Sequence, residues 1–239
     1  MSGHSKWATT KRAKAAVDAK RGKQFTKLAN AITVAAREGG GSIEANPRLR
    51  SAVDSARAAS MPKENIERAI KRGTGELAGE IIESVVYEGF APGGSAVIVE
   101  ALTDNRNRTA QTIKSIFQKH GGSLAGPGAV AWMFDRRGVI HALKSPDTSL
   151  DELALIEMGA DDILPVDDEY ILLVSPDKLI ALKETLLERG LEVLDAEITF
   201  WPKTPAAFPA GKDGEGLSNF LSALDDCDEV ERVATSAVL

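Results

Sequence analysis

The sequence predicts an α+β protein of three domains, in which an N-terminal helical domain precedes two domains that combine helices with sheets. Two observations lead to this fold class. Apolar residues recur every three or four positions as far as Gly73, which is the period of helices, and later fall in short runs typical of strands. In addition, a chain of 239 residues exceeds the usual size of one domain.

The N-terminal domain, residues 1–78, is predicted to consist of three helices around a small core. The first should end at the glycines at positions 39–41, because glycine favours the termination of a helix. The second should begin at Asn46-Pro47, since asparagine caps helices and proline suits the first turn. The third follows Pro62.

The second domain is predicted in two pieces, residues 79–134 and 204–239. The first piece comprises strands at Ile82–Phe90 and Ser95–Thr103, a helix capped by Asp104-Asn105, and a strand at Val130–Phe134. The second piece comprises a helix near Leu217–Leu224 and a strand at Glu229–Val238. Because this pair has no core of its own, we expect it to complete the sheet of the first piece.

The third domain, residues 135–203, is predicted to be inserted between those pieces. Its elements follow the order strand, helix, strand, strand, helix, strand, which is the split arrangement of ferredoxin-like domains. They are placed at Val139–Leu143, Leu150–Met158, Asp162–Val166, Tyr170–Val174, Asp177–Arg189 and Leu191–Phe200.

The composition favours a cytoplasmic protein. No run of about 18 apolar residues is present, so no membrane helix is expected. The basic N-terminal segment has no apolar stretch of the kind found in secretory signals, although it is compatible with a mitochondrial transit peptide. Cys227 is the only cysteine, which excludes an internal disulfide and fits a reducing compartment.

Motifs for catalysis or metal binding are not recognisable. The three histidines, His4, His120 and His141, are far apart in sequence, and the common hydrolase, metalloprotease and phosphate-loop motifs are absent. The acidic clusters at 161–169 and 225–229 lack the spacing of a calcium loop, so we expect them to be solvated. We therefore predict a protein that is not an enzyme and has no cofactor, metal or small-molecule substrate, and we expect a monomer.

The charge is strongly segregated along the chain. Residues 1–75 contain 16 Lys and Arg against 6 Asp and Glu, a net charge of +10. Residues 76–239 contain 13 against 29, a net charge of -16. The overall charge of -6 therefore conceals a basic domain joined to an acidic body, a pattern that indicates a polyanionic partner.

The basic charge is most concentrated before and within the first predicted helix. Lys14 and Arg21 would lie on its apolar side if the helix ran back unbroken, and burying such charges is costly. We therefore expect the segment before Gly22 to project as an arm that contacts phosphates, although a merely solvated lysine-rich helix is the alternative. The candidate nucleic-acid-binding residues here are Lys6, Lys11, Arg12, Lys14, Lys20, Arg21, Lys23 and Lys27.

A second candidate is the strand-to-helix turn that carries Arg106 and Arg108. Backbone N–H groups at the start of a helix and two arginines can bind a phosphate there. The alternative is that both arginines pair with neighbouring acidic residues, and the sequence does not distinguish the two.

Several long motifs resemble those of the YebC family. They are Ser2-Gly-His-Ser-Lys-Trp7, Ala19-Lys-Arg-Gly-Lys23, Val34-Ala-Ala-Arg-Glu-Gly-Gly-Gly41, Asn46-Pro-Arg-Leu-Arg50, Met61-Pro-Lys-Glu-Asn-Ile-Glu-Arg-Ala-Ile-Lys71, Tyr87-Glu-Gly89, Leu102-Thr-Asp-Asn-Arg-Asn-Arg-Thr109 and Lys119-His-Gly-Gly122. Together they cover the chain in order. The sequence departs from the family pattern mainly at Thr9-Thr10, Ala13 and Val17, where more polar residues are common, and the basic positions are unaffected.

This resemblance implies a YebC-like fold of a helical domain plus two α+β domains. It also implies a non-catalytic, cytoplasmic regulator of gene expression that binds nucleic acid. Family members are described as DNA-binding transcriptional regulators, and relatives act on the ribosome, including factors that relieve stalling at proline runs. The partner is thus expected to be DNA or ribosomal RNA, with the ribosome as a candidate. A protein-interaction adaptor, whose basic domain binds an acidic partner, is the alternative.

Overall fold

A computed structural model describes residues 22–78, 81–144, 152–166 and 169–237. The described residues fall into two compact units. One contains the chain up to Val86 together with Val99–Ile116 and Leu221–Glu231. The other contains Tyr87–Ile98, Phe117–Phe220 and the chain from Arg232 onward.

Helices and strands follow the α+β pattern predicted from the sequence. Within the described ranges the helices are α1 (residues 22–39), α2 (Pro47–Ala58), α3 (Lys63–Gly73), α4 (Arg106–Lys119), α5 (Glu152–Glu157), α6 (Leu179–Glu188) and α7 (Gly211–Asp225). The strands are β1 (Glu83–Phe90), β2 (Ala96–Thr103), β3 (Ser123–Ala125), β4 (Phe134–Leu143), β5 (Asp162–Val166), β6 (Glu169–Val174), β7 (Val193–Pro202) and β8 (Val230–Thr235). None of these helices is long and apolar enough to cross a membrane.

The helical region encloses a core of its own, to which α1, α2 and α3 each contribute a buried stripe. The fully or nearly fully buried residues are Ile32, Ala35, Ala36, Leu49, Val53, Ala56, Met61, Ile66 and Ala69. They recur at the three- and four-residue intervals that place side chains on one helix face. The three predicted helices are therefore confirmed.

Asn46 joins α1 to α2 through three hydrogen bonds. Its Nδ2 donates to the carbonyl oxygens of Ala35 and Gly40 at 2.8 and 2.9 Å, and its Oδ1 accepts from the N–H of Leu49 at 3.1 Å. A Cβ at Gly39 would lie 2.6 Å from Nδ2, so only glycine fits beside this side chain. One buried amide thus ends the first helix and caps the second.

The first sheet has the strand order β3-β1-β2-β8. Residues 91–95 connect β1 to β2 by a tight turn, in which Gly93 and Gly94 adopt φ of 82° and 87°. β8 runs antiparallel to β2, because the N–H of Leu102 donates to Glu229 O and that of Ser236 donates to Ala96 O. Every residue of β2 is buried, as expected for a strand with neighbours on both sides.

The second sheet has the order β5-β6-β4-β7, with all neighbouring strands antiparallel. In this sheet β4 and β6, the first and third strands in chain order, are central, and β5 and β7 are at the edges. Ferredoxin-like domains have the same arrangement. Helices α5 and α6 cover it through a core that includes Ile140, Leu155, Leu172, Leu182 and Leu186. The strand order is the one expected if residues 135–203 are inserted in a domain of residues 79–134 plus 204–239, and we keep these boundaries, with 1–78 for the helical domain, as a proposal.

One predicted strand is wrong and several bounds shift. Val130–Phe134 does not form a strand, because Ala131–Met133 is a short 3₁₀ helix and the following strand begins at Phe134. The apolar run is instead explained by burial of Val130 and Phe134 on either side of this turn. The short strand β3 was not predicted, and α7 begins at Gly211, before the helix predicted near Leu217–Leu224.

Candidate nucleic-acid interface

Six of the predicted basic residues lie outside the described part of the chain. These are Lys6, Lys11, Arg12, Lys14, Lys20 and Arg21. Their role as an arm therefore remains a prediction.

Lys23, which is exposed, and Lys27, which is partly buried, contact the carboxyl end of α7 and the turn that follows it. Lys23 Nζ donates to Asp226 O at 3.4 Å and lies 3.6 Å from the Asp228 carboxylate. Lys27 Nζ donates to Asp225 O. Cations at the carboxyl end of a helix are favourable because they satisfy terminal carbonyl groups and the helix dipole. The cluster at 225–229, predicted to be solvated, thus has the basic face of α1 as a partner.

Arg106 and Arg108 are both engaged with acidic residues. Arg106 forms an ion pair with Glu83. Arg108 lies 2.5 Å from the Asp104 carboxylate and 3.5 Å from that of Glu229. Hydrogen bonding to Asp104 raises the pKa of the Arg108 guanidinium, which is charged at any physiological pH.

The turn before these arginines is held by a buried hydroxyl pair. Thr109 Oγ1 donates to Thr103 Oγ1 at 2.7 Å, and both side chains are buried. Thr103 Oγ1 also accepts from the N–H of Asn105, whose side chain accepts from the N–H of Arg108. The predicted cap at Asp104-Asn105 is confirmed, with Asn105 as the capping residue.

The structure reveals a second basic surface, formed by Arg37, Arg68, Lys71 and Arg72. All four side chains are exposed. Within the described residues, no ion pair or side-chain hydrogen bond involves any of them. This surface, called here the α1–α3 basic surface, offers cations that are available to a ligand. The sequence did contain a signal, because the inward residues Ile66, Ala69 and Ile70 of the third helix leave positions 68, 71 and 72 facing outward.

A close helix crossing brings these four residues together. Thr33 Oγ1 donates to Ala69 O at 3.1 Å, which joins α1 to α3. A Cβ at Gly73 would lie 2.4 Å from Thr33 O and 3.2 Å from the Arg37 backbone nitrogen. Glycine is therefore required there, and the last turn of α3 with its two cations lies beside Arg37.

A cleft of about 460 Å³ adjoins the basic surface. Its lining includes the cations Arg72 and Arg108 together with the acidic residues Asp104, Asp228 and Glu229. The mixture of charges makes the cleft nearly neutral, so it offers no strong site for a phosphate. The exposed cations outside it are the better candidates.

Comparisons with known proteins agree with this architecture over nearly the whole chain. Residues 5–76 match the family model described as the TACO1/YebC protein N-terminal domain, and residues 82–237 match the one described as the TACO1/YebC second and third domain. The chain belongs to the TACO1/YebC family.

Curated TACO1/YebC relatives extend over the same length. A protein of Thermotoga maritima named "Probable transcriptional regulatory protein" is 54% identical over 98% of this chain and 92% of its own length. A protein of Desulfatibacillum aliphaticivorans with the same name is 50% identical over 99% and 96%. The crystal structure of a conserved hypothetical protein from Aquifex aeolicus is 42% identical, with a TM-score of 0.81 over 93% of this chain and 92% of that one.

One of the motifs that carry the TACO1/YebC resemblance has a structural role. The Glu88 carboxylate accepts hydrogen bonds from the N–H groups of Gly128, Val130 and Ala131 at 2.6, 2.8 and 2.8 Å. A Cβ at Gly89 would lie 2.5 Å from Ser123 O. Tyr87-Glu-Gly89 thus fixes the chain that follows α4, which explains the motif without any contact to a ligand.

No group of three His, Cys, Asp or Glu side chains in the described ranges is arranged to hold a metal ion. Burial raises the pKa of the Cys227 thiol, which keeps it protonated and poorly nucleophilic. What the described surface does offer is the α1–α3 basic surface.

Proposed function

We propose that this protein is a non-catalytic, nucleic-acid-binding regulator of gene expression that acts in the cytoplasm as a monomer. The observation that carries the proposal is the α1–α3 basic surface, where exposed cations have no acidic partner in the described residues. Unpaired lysine and arginine on one surface are suited to phosphate contacts. The names of the curated relatives support a role in regulation.

The predicted arm extends this proposal. Its lysines and arginines precede α1, so they add cations at the start of the domain that carries the basic surface. Lys23 and Lys27 contribute less, because the α7–β8 turn already binds their ammonium groups. The acidic body repels phosphates and so directs nucleic acid toward the basic domain.

Duplex DNA and ribosomal RNA are both suitable targets for such a surface. A transcriptional regulator would bind DNA, whereas a translation factor that relieves stalling at proline runs would bind the ribosome. Co-sedimentation with ribosomes, with and without nuclease, separates the two. An adaptor for an acidic protein is the other candidate, since the same cations attract carboxylates.

The triple variant Arg68→Ala/Lys71→Ala/Arg72→Ala tests the proposal. Each lost phosphate contact should flatten the dependence of log affinity on log salt concentration by about 0.9 on duplex DNA and about 0.7 on single strands. Affinity should fall similarly for unrelated sequences, because backbone contacts do not specify sequence.

A matched control is Lys178→Ala/Arg189→Ala/Lys212→Ala. It removes three exposed cations from other parts of the fold and changes the net charge equally. If both triple variants lose the same affinity and salt dependence, the α1–α3 basic surface has no specific role. If both triple variants bind nucleic acid as tightly as the original protein, the α1–α3 basic surface does not carry the proposed function.

A further inference from the structure

Trp132 presents most of its indole ring to solvent. The side chain is 68% exposed, although residues of this type usually bury most of their surface. It belongs to the 3₁₀ helix Ala131–Met133, between Val130 and Phe134, which are buried. The exposed ring therefore stands on a turn whose flanking residues are fixed in the core.

The orientation of the ring is also fixed. Its Nε1–H donates to Ala129 O at 3.1 Å. Indole has only this one hydrogen-bond donor, so the features left to a ligand are the faces of the ring. A flat apolar surface is what remains available.

The surrounding turn is held by a buried carboxylate. Glu88 accepts hydrogen bonds from the N–H groups of Val130 and Ala131, the two residues that precede Trp132. The N–H of Met133 donates to Val130 O, and that of Lys203 donates to Met133 O. Binding to such a preorganised ring costs little conformational entropy.

The surroundings of Trp132 distinguish between classes of partner. Gly126, Pro127 and Gly128 precede it, and Asp135 and Lys203 lie close along the chain, all of them exposed. In the described residues from 120 to 140 and from 195 to 205, no other large hydrophobic side chain is exposed. A protein-binding anchor needs a rim that excludes water, whereas a nucleobase stacks on a single ring in a polar surrounding.

Lys203 offers a cation for the phosphate next to a stacked base, because its backbone N–H donates to the carbonyl oxygen of Met133, the residue after Trp132. Lys203 Nζ lies 3.6 Å from the Asp135 carboxylate, and both side chains are about half exposed. Exposed ion pairs of this kind contribute little to stability, so a phosphate can replace the Asp135 carboxylate as the partner of Lys203 at a small cost in free energy.

We propose that Trp132 stacks on an unpaired nucleobase and forms a binding site for single-stranded nucleic acid. This inference rests on the proposed nucleic-acid binding and adds a preference for single strands over duplexes. Duplex nucleic acid cannot use the site, because its bases are stacked on one another. The chain should therefore favour single strands beyond what charge provides.

The stacking site is tested by measuring the affinity of the full chain for an oligouridylate and for mixed-sequence duplex DNA. Trp132→Ala should bind the oligouridylate about 5- to 150-fold more weakly, the range expected for one lost base stack. Duplex binding and both salt slopes should be unchanged, and Trp132→Phe should restore most of the affinity. Leu153→Ala, which truncates another exposed apolar side chain, serves as the control.

Tryptophan fluorescence gives a second measurement. The double variant Trp7→Phe/Trp201→Phe leaves Trp132 as the only tryptophan, and its emission should be quenched by the oligouridylate but not by the duplex. Absence of quenching together with unchanged affinity of Trp132→Ala overturns the stacking site. If the original protein binds neither probe, the proposed function itself is refuted. Quenching by an apolar peptide but not by the oligouridylate would assign the ring to a protein partner and also refute the inference.

Discussion

Replacement of Glu88 by glutamine should destabilise the protein more than its single lost charge suggests. The carboxylate accepts three backbone hydrogen bonds, of which the one from Val130 is buried. A glutamine offers one oxygen with two lone pairs, so at least one N–H loses its partner while the new amide group faces other donors.

The magnitude follows from the strength of charge-assisted hydrogen bonds. Each contributes about 1.5–3 kcal/mol, against about 0.5–1.5 kcal/mol for a neutral one. With one bond lost and the others weakened, we expect Glu88→Gln to cost about 2–4 kcal/mol. For a protein of this size the melting temperature should fall by about 4–16 °C.

The effect should also depend on pH. Burial raises the pKa of Glu88, but the three N–H groups outweigh it, so the pKa lies below its ordinary value of 4.5. The stabilisation is therefore complete above the pKa of the unfolded state and is lost as the pH falls through the lower pKa of the folded state.

Thermal melts of both proteins between pH 7 and pH 3, followed by circular dichroism, measure these quantities. The two melting temperatures should converge toward the acidic end. Glu184→Gln, which changes an exposed carboxylate of α6, should melt like the original protein throughout. Equal melting of Glu88→Gln and the original protein at pH 7 would refute the reasoning, as would a difference that does not change with pH.

Three further predictions concern the unit that contains α1, α2 and α3. Asn46→Ala should cost about 2–4 kcal/mol in urea unfolding because it removes a cap and the two N–H donors of the side-chain amide, and Asn46→Asp should cost at least as much, because it keeps the cap but turns a carboxylate oxygen toward two carbonyl oxygens. Gly73→Ala should cost about 1–3 kcal/mol by forcing α1 and α3 apart, despite the better helix propensity of alanine, and an unchanged midpoint would contradict the close crossing. Arg106→Ala/Arg108→Ala should leave the midpoint of unfolding nearly unchanged, because exposed ion pairs contribute little to stability, and a drop in nucleic-acid affinity would show that the turn binds phosphate.

The proposed domain boundaries can be tested with fragments. Residues 1–78 should fold alone, since the core of α1, α2 and α3 is made within this segment. A circular-dichroism spectrum with little helix and no cooperative melt would refute the boundary. Residues 79–134 should not fold alone, because β8 supplies the neighbour of β2.

Local patterns predicted most of the fold. Asn46-Pro47 and the glycines at 39–41 specify helix ends by their own backbone chemistry, so the three N-terminal helices could be placed from the sequence. Val130–Phe134 was misread because a buried 3₁₀ turn and a short strand have the same apolar composition.

The interface was harder to predict because it depends on contacts between distant residues. Whether Lys27 is free or engaged is decided by Asp225, 198 positions away. The same holds for Arg108 and Glu229. The α1–α3 basic surface is different, since the outward direction of Arg68, Lys71 and Arg72 follows from the helix period, although the absence of acidic partners in the described residues does not.

The position of β8 beside β2 has a consequence for synthesis of the protein. The ribosome makes β2 well before its second neighbour, which lies at residues 230–235. Until then β2 is an edge strand whose eight residues, all buried in the finished fold, have no cover on that side. Open edges of this kind pair readily with other chains. Nascent or truncated chains should therefore be prone to aggregation and dependent on chaperones, while the completed protein is not.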